Sequence, residues 1–491
     1  MTGIAMPKPD ARLLAMRDRI VAALEAAVPG CVISDPVETR AYECDALTAY
    51  RCPPLAVALP RSTEEVAATM KACHEVGVKV VPRGAGTSLA GGSLPTADSV
   101  VLGTARLNRV LDVDISNRCI RVQAGMTNLS ITGAVEADGF FYAPDPSSQL
   151  ACAVAGNIAM NSGGAHCLKY GVTTNNLLGV QMVLADGEVV ELGGPWCDAA
   201  GYDLLGVVCG SEGQLGVVTE AVLRILPKPE GAAPVLVGFD SPEAAGECVA
   251  AIIRAGVLPV AIEYMDRLCI AAVRDFCGAD YPDVEALLIV EVEGSDAEIA
   301  DRLDKVAGIA EAFRPRLLRR SKNATESARI WAGRKATFGA MGRINDYICL
   351  DGTVPLSRLG GMLRQISELS ERYGLQCANV FHAGDGNMHP LILHDAGVPG
   401  ELERAEAFGA DILRLCVEAG GCLTGEHGVG IEKRDLMDVQ FTEAEIEAQM
   451  RVKDCFDPGW LLNPAKVFPL SSSEGRRMSL AAGANGAEAS I

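Results

Sequence analysis

The chain has 491 residues and a formal net charge of −20 at pH 7, with 49% hydrophobic and 22% charged residues. That length is too great for one compact core, so two or three domains are expected, and the composition excludes wholesale disorder. The acidic balance argues against sequence-independent nucleic-acid binding, which needs a basic surface to displace counterions.

Near the N-terminus Leu13, Leu14, Ile20, Val21 and Leu24 recur at helical spacing, interrupted by Arg17, Asp18 and Arg19. An amphipathic surface helix fits better than a signal peptide, and residues 1–50 are read as an N-terminal helical segment. A domain over 51–230 opens with a strand at Leu55–Leu59. Ser62-Thr63-Glu64-Glu65 then reads as a capping box with Ser62 as N-cap. Val66, Met70, Cys73 and Gly77 mark one face of the helix that follows, and Val78–Pro82 is the next strand. Leu177–Ala185 suits a buried strand, and no segment approaches the roughly 20 apolar residues needed to cross a bilayer. Leu226–Pro234, with its three prolines, reads as a linker. A second domain is expected over 235–468, ending in a helical piece. Residues 470–491, mostly Ser, Gly, Ala and Arg, read as a disordered tail. The 17 cysteines are scattered without a CxxC pair. That spacing excludes a standard iron–sulfur cluster and a zinc ribbon and suits buried thiols in a reducing cytosol.

Four stretches of the first domain carry chemistry. Pro82-Arg83-Gly84-Ala85-Gly86-Thr87-Ser88 leaves the second strand. Its glycines let backbone N–H groups approach a pyrophosphate, and a concave run of such groups binds anions. It is not a GxGxxG turn, because Leu89 stands where the third Gly belongs, and no GxxxxGK[ST] stretch exists. Pro144, Asp145 and Ser148 lie in a second stretch. Gly156, Asn157, Asn161, Gly163 and Gly164 lie in a third, which continues to His166 and Tyr170. Gly210, Glu212, Gly213, Gly216, Val217 and Val218 lie in a fourth. Each pairs glycines with neutral hydrogen-bonding side chains near apolar strands, the surface a large planar cofactor needs.

The second domain holds His382 and His389 on either side of Gly384-Asp385-Gly386-Asn387. If that turn reverses the chain as a hairpin, the two imidazoles converge. Glu426 and His427, in a glycine-rich bend, offer further donors. Two His plus one carboxylate suit zinc or a similar divalent metal with a position left open for substrate. Asp385 is more simply a turn former. His74 and His394 read as structural.

In this order the first-domain stretches resemble the FAD-binding domain of the vanillyl-alcohol oxidase/PCMH flavoprotein family, an α+β fold and not a Rossmann fold. With Tyr42-Glu43-Cys44-Asp45, Trp331-Ala332-Gly333-Arg334-Lys335, Asp351-Gly352-Thr353 and Leu462-Asn463-Pro464-Ala465-Lys466, the chain from about Tyr42 to Phe468 resembles FAD-linked 2-hydroxyacid dehydrogenases. That group includes D-lactate dehydrogenases, D-2-hydroxyglutarate dehydrogenase and the D subunits of bacterial glycolate oxidases, to which the likeness is greatest. The resemblance implies a PCMH-type FAD-binding domain followed by an FAD-linked oxidase C-terminal substrate domain. It puts pyrophosphate on Arg83–Ser88, the flavin ring near Gly156, Asn157, Asn161 and Gly163, and the ring and adenine side near Gly210–Val218. It makes His382, His389 and Glu426 metal ligands and His427 the catalytic base. Some members tether FAD through a His in the glycine loop; Thr87 stands there, so FAD is expected to be non-covalent.

Oxidation of a 2-hydroxy acid needs a cation for its oxygens, a base for the hydroxyl proton and a hydride acceptor. The expected roles are a metal that lowers the hydroxyl pKa, His427 as base, and flavin N5 as acceptor. Arg334 is the expected carboxylate clamp, for its planar fork. The stretch Asp346–Asp351 lacks the Lys of the hydroxyglutarate enzymes, so a small acid such as glycolate or D-lactate is expected. The likeness to the D subunits implies two partners, a second flavoprotein-like chain and an iron–sulfur subunit as electron acceptor. It also implies a cytoplasmic location, peripheral to the inner membrane through those partners. A stand-alone D-lactate dehydrogenase would look much the same. A redox-neutral transferase like the alkylglycerone-phosphate synthases is disfavoured, because no basic cluster offers a phosphate site.

Overall fold

The computed structural model describes residues 4–196, 200–473 and 475–476. Among these residues the strands form a four-stranded, a five-stranded and a nine-stranded sheet, with a small two-stranded pair. The class is α+β, as expected.

The helix Thr63–Val76 starts at the expected N-cap, with the Ser62 side chain accepting from the N–H of Glu65, but the Glu65 carboxylate takes the N–H of Arg61 (2.7 Å) and does not close the box. Val66, Met70 and Cys73 are buried. Gly77 lies beyond the helix at φ +73°, so it is the left-handed cap and not part of the face. Ala56–Ala58, Ser99–Gly103 and Lys79–Arg83 run parallel, and Val32–Ile33 pairs antiparallel with Ala56–Ala58. Leu13, Ile20 and Leu24 share one apolar cluster with Val66, Met70, Val80 and Val100. The N-terminal 50 residues are therefore not a separate segment: they complete the core and edge of the first domain. The five-stranded antiparallel sheet runs Val110–Asp114, Cys119–Gln123, Val217–Arg224, Leu177–Val183, Val189–Gly193. One face of Val217–Arg224 is buried and the other half-buried.

The expected linker is also corrected. Leu226–Pro227 pairs with Phe140–Phe141, and Gly231–Phe239 is a full strand paired along its length with Ala286–Gly294. Pro234 is tolerated inside it for a geometric reason. Its carbonyl accepts from Ser321 N–H, beyond the register of the neighbouring strand Leu317–Arg320, so its missing N–H faces no ladder partner. The large antiparallel sheet continues through Ala261–Asp266 and Cys377–His382.

The end of the second domain packs back onto the first. Leu462 bridges Val80 and joins the first domain's apolar cluster. Buried Lys453 donates to the carbonyls of Gln214 (2.9 Å) and Leu462 (3.1 Å). Asn463 Nδ2 donates to the carbonyls of Gly92 (2.9 Å) and Glu212 (2.6 Å). A buried ammonium and amide need acceptors, and the first domain supplies three of these four, Gln214, Gly92 and Glu212. The expected disordered tail begins differently. Residues 470–473 are helical, and Arg476 pairs with Glu447 and Asp454; the rest of that segment lies outside the described residues. No helix of the described residues is long and apolar enough to cross a membrane.

Candidate active site

A cavity of about 520 Å³ runs from the glycine loop to the histidine cluster. All of Pro82, Arg83, Gly84, Ala85, Gly86, Thr87 and Ser88 line it, as do Ser148, Gly156, Asn157, Glu212, Gly213, Gly216, Val217 and Val218. The loop and the helix Val154–Met160 meet closely: a Cβ on Gly84 would stand 3.2 Å from Ala153 Cβ and 3.4 Å from Gly156 N. A Cβ on Gly156 would meet no protein atom within 4 Å. In the wall, Thr104 Oγ1 and Asn463 Oδ1 are buried without a protein partner. A glycine-lined cradle with unpartnered neutral polar atoms fits a cofactor bearing a pyrophosphate and a planar, hydrogen-bonding ring.

Other residues expected to touch the cofactor act one layer behind the wall. Pro144 accepts from Asn128 Nδ2 (2.8 Å), and Asn161 Oδ1 accepts from the N–H of Thr174 (2.9 Å). Gly210 donates its N–H to the carbonyl of Ile158. Gly163 lies against Glu426: a Cβ there would come 2.8 Å from its Oε2. Gly164 packs in the same way on Asp145. The cavity also takes residues not singled out for it, among them Thr104, Met160, Lys335, Phe338, Tyr347 and Asn463.

At the far end Cys377–His382 and Asn387–Met388 pair antiparallel, with Gly386 at φ +76° in the turn. His382 and His389 converge, with ring centroids 5.2 Å apart. The Nε2 atoms of both lie 3.3 Å from Glu426 Oε1. His427 stacks on His389 at 4.9 Å. His382 is held by Glu263, its cross-strand partner, which accepts from Nδ1 at 2.7 Å. Burial alone would lower the His382 pKa, but Glu263 and Glu426 raise it well above the usual value. Each ring nitrogen thus faces a carboxylate, and a divalent cation would bind at Nε2. His389 Nε2 is buried without a hydrogen bond. His382, His389 and Glu426 therefore fit a metal, and Glu263 supplies the outer carboxylate that fixes a ligating His.

Asp351 stands beside a second group of donors with His389 and His427, but its oxygens are already engaged. They accept from Thr424 Oγ1 and from the N–H groups of Gly425, Glu426 and His427. Burial lowers the His427 pKa to about 4, against the pull of Asp351 and with the help of His389 and Lys433. The ring is neutral near pH 7, as a proton acceptor must be.

Arg334 is not where a clamp would be. It is 4% exposed, does not line the cavity, and forks onto Glu263 Oε2 with Nε and Nη2 both at 2.7 Å. Its neighbour Lys335, one helical step round, lines the cavity instead. Geometry explains the swap: a buried guanidinium needs a carboxylate, and Glu263 is the one within reach.

Where the domains meet, His166 bridges Asp145 (2.6 Å) and Glu291 (3.2 Å), and Lys169 and Tyr170 both bond Glu293. Tyr170 is thus a clasp residue and not a cavity wall. Burial would lower the His166 pKa, but the two carboxylates raise it to about 10 from 6.5. A folded value above the unfolded one stabilises fully below the unfolded pKa and fades as pH rises through the folded one. The Tm advantage of wild type over His166→Gln is expected to be greatest below pH 6.5 and to shrink towards pH 10. Thermal melts of both proteins across that range check it, and a pH-independent difference would refute the clasp.

Such a cavity, on these two domains, defines a flavoprotein. Residues 54–193 match the FAD binding domain family, and residues 228–467 match the family described as FAD linked oxidases, C-terminal domain. The glycolate oxidase subunit GlcD of Escherichia coli (strain K12) is 48% identical over 92% of this chain and 91% of that protein. The D-lactate dehydrogenase of Archaeoglobus fulgidus is 32% identical over 84% of this chain and 90% of that protein. The structure of 4-ethylphenol oxidase from Gulosibacter chungangensis shares the fold, with a TM-score of 0.78 at 16% identity, covering 94% of this chain and 99% of that one. The chain belongs to the FAD-linked oxidases, a family of FAD-dependent oxidoreductases.

Proposed function

We propose that the protein oxidises glycolate or a small D-2-hydroxy acid such as D-lactate to the 2-oxo acid, with non-covalent FAD. We further propose that it does so as the D-type subunit of a glycolate oxidase, with a flavoprotein-like and an iron–sulfur partner. The observation that carries this is the meeting of His427, Glu426 and His389 with the glycine-lined cavity in one wall. Identity to GlcD over nearly the whole chain supports the subunit reading. The substrate loses the hydroxyl proton and, from its α-carbon, a hydride.

When bound, FAD accepts that hydride, and a divalent ion held by His382, His389 and Glu426 (zinc is our choice) polarises the substrate oxygens. The chain's own residues do the rest. His427 takes the hydroxyl proton at a ring nitrogen. Lys335 faces the carboxylate as a point charge. Phe338 and Tyr347, whose rings lie 6.4 Å apart, wall the same end and exclude water. Their bulk beside Lys335 favours a short acid. We read the chain as cytoplasmic, with any membrane contact made through its partners, since its net negative charge disfavours direct contact with anionic lipid.

Anaerobic titration of the purified protein with glycolate, D-lactate, L-lactate and D-2-hydroxyglutarate tests this. Bleaching of the flavin by glycolate or D-lactate is expected. A bound flavin that none of the four bleaches refutes the reading. Full turnover without added partner chains favours the stand-alone D-lactate dehydrogenase, which the identity to the Archaeoglobus enzyme also supports.

A further inference from the structure

We infer that Glu212, a residue of the flavin-binding domain, is a positioning residue for His427 and shares that work with Asp351 of the other domain. The inference rests on the reading of His427 as base. The segment Gly425–Gly430 has no helix or strand of its own, and of its N–H groups only that of Gly425 also reaches a backbone carbonyl, that of Asp351 (2.8 Å). Asp351 accepts from Gly425 (3.0 Å), Glu426 (3.0 Å) and His427 (2.9 Å). Glu212 accepts from Val429 (2.6 Å) with one oxygen and from Gly430 (2.7 Å) with the other. Two carboxylates from two domains thus hold five of six successive N–H groups.

Both carboxylates are buried, Asp351 at 0% and Glu212 at 6% exposure. Fully buried Lys433 pairs with Glu432 (2.8 Å), donates to the carbonyl of Gly428 (3.0 Å) and stands 3.8 Å from Asp351, so its charge also favours the anions around the loop. The loop closes over Glu212 only because residue 428 is glycine. Its φ is +82°, and a Cβ would come 2.9 Å from Glu212 Oε1 and 2.7 Å from Met160 Sδ. Glu212 itself has φ +53°, a conformation a non-glycine residue holds at a cost. Its carbonyl is fixed by Asn463 (2.6 Å). Glu212 and its neighbours Gly213 and Gly216 line the cofactor cavity, yet both its carboxylate oxygens are directed at the base loop. One residue of the cofactor cavity's wall thus holds the base loop, and a charged group expected to serve the cofactor serves the catalytic loop.

The test uses Glu212→Gln and Gly428→Ala in the flavin-loaded protein. The first keeps size but turns an amide N–H towards a backbone N–H; the second leaves every flavin-domain residue in place in the sequence but sets a Cβ against Glu212 Oε1 and Met160 Sδ, which pushes the loop off the carboxylate. Two quantities are read: hydrogen exchange of the peptide over 424–431, and single-turnover flavin reduction at rising substrate concentration. The amides of Val429 and Gly430 are expected to exchange roughly tenfold faster. The limiting reduction rate is expected to fall about 100-fold, the cost of a base misplaced by about 1 Å, with flavin content and substrate dissociation constant little changed. A limiting rate at the wild-type level overturns the inference, even if exchange accelerates. So does a change confined to substrate affinity. If both variants lose flavin, wild-type exchange decides. Amides 429 and 430 as slow as the strand Ala261–Asp266 support the pinned loop, and exchange at open-loop rates overturns it. Failure of every 2-hydroxy acid to bleach wild type is a separate result: it removes the base and the positioning role with it, while the exchange data still report whether the loop is held.

Discussion

His427→Asn is expected to slow substrate-driven flavin reduction by about 10²–10⁴-fold, the range for loss of a general base, with flavin content unchanged. The structure makes this a clean substitution. The loop is held through the backbone N–H of His427 on Asp351 (2.9 Å), not through its ring. Nδ1 of the ring is buried without a hydrogen bond, so asparagine breaks no hydrogen bond there and loses only the stack on His389. Nor is His427 in the group of His382, His389 and Glu426 that would hold the metal, so metal content is expected to survive. Stopped-flow absorbance under anaerobic conditions gives the rate, and metal analysis gives the content. His394→Asn is the matched control, because its Nδ1 is equally buried and unpartnered while its ring lies outside the cavity wall. Equal rates in wild type and His427→Asn would leave the base unassigned and point to solvent or another residue as proton acceptor.

Much of this site is legible in sequence because local rules write it. Glycines mark the Arg83–Ser88 loop and the turn between His382 and His389, since only short or absent side chains fit there. The capped helix Thr63–Val76 is spelled out by Ser62. What is not legible depends on long-range pairing. Nothing near Glu263 in the sequence announces that strand register sets it opposite His382. Nothing near Arg334 says that a carboxylate 71 positions away captures its guanidinium. Asp351 is visible only as part of a shared motif, and its role follows from a loop 73 to 76 positions on. Contacts between the domains escape a linear reading for the same reason. Leu462 and Asn463 pack on the first domain because their partners Val80, Gly92 and Glu212 are there.

Glu263→Ala is expected to do two separable kinds of damage. Glu263 is 0% exposed and bonded on both sides: Oε1 accepts from His382 Nδ1 and Oε2 takes the Arg334 fork, all at 2.7 Å. Burial would raise its pKa, but His382 and Arg334 hold it below the usual carboxylate range, so it is an anion that both partners need. Removing it leaves the buried Arg334 charge unpaired, a loss of about 3–5 kcal/mol of stability, read as a lower Tm. It also frees the His382 ring, and loss of such an outer carboxylate typically costs about 10–100-fold in metal affinity. A second protein separates the effects. With Arg334→Met added and Glu263 changed to Met, no buried charge is left over, and apolar replacement of a buried pair is often neutral or stabilising. Its Tm is expected to recover towards wild type. Its affinity for Zn²⁺, titrated against a competing chelator, is expected to stay low, because His382 Nδ1 still lacks an acceptor. Recovery of both would mean that Glu263 serves only to neutralise Arg334. Undiminished Zn²⁺ affinity in Glu263→Ala itself would mean that the hydrogen bond on His382 Nδ1 does not tune the metal site.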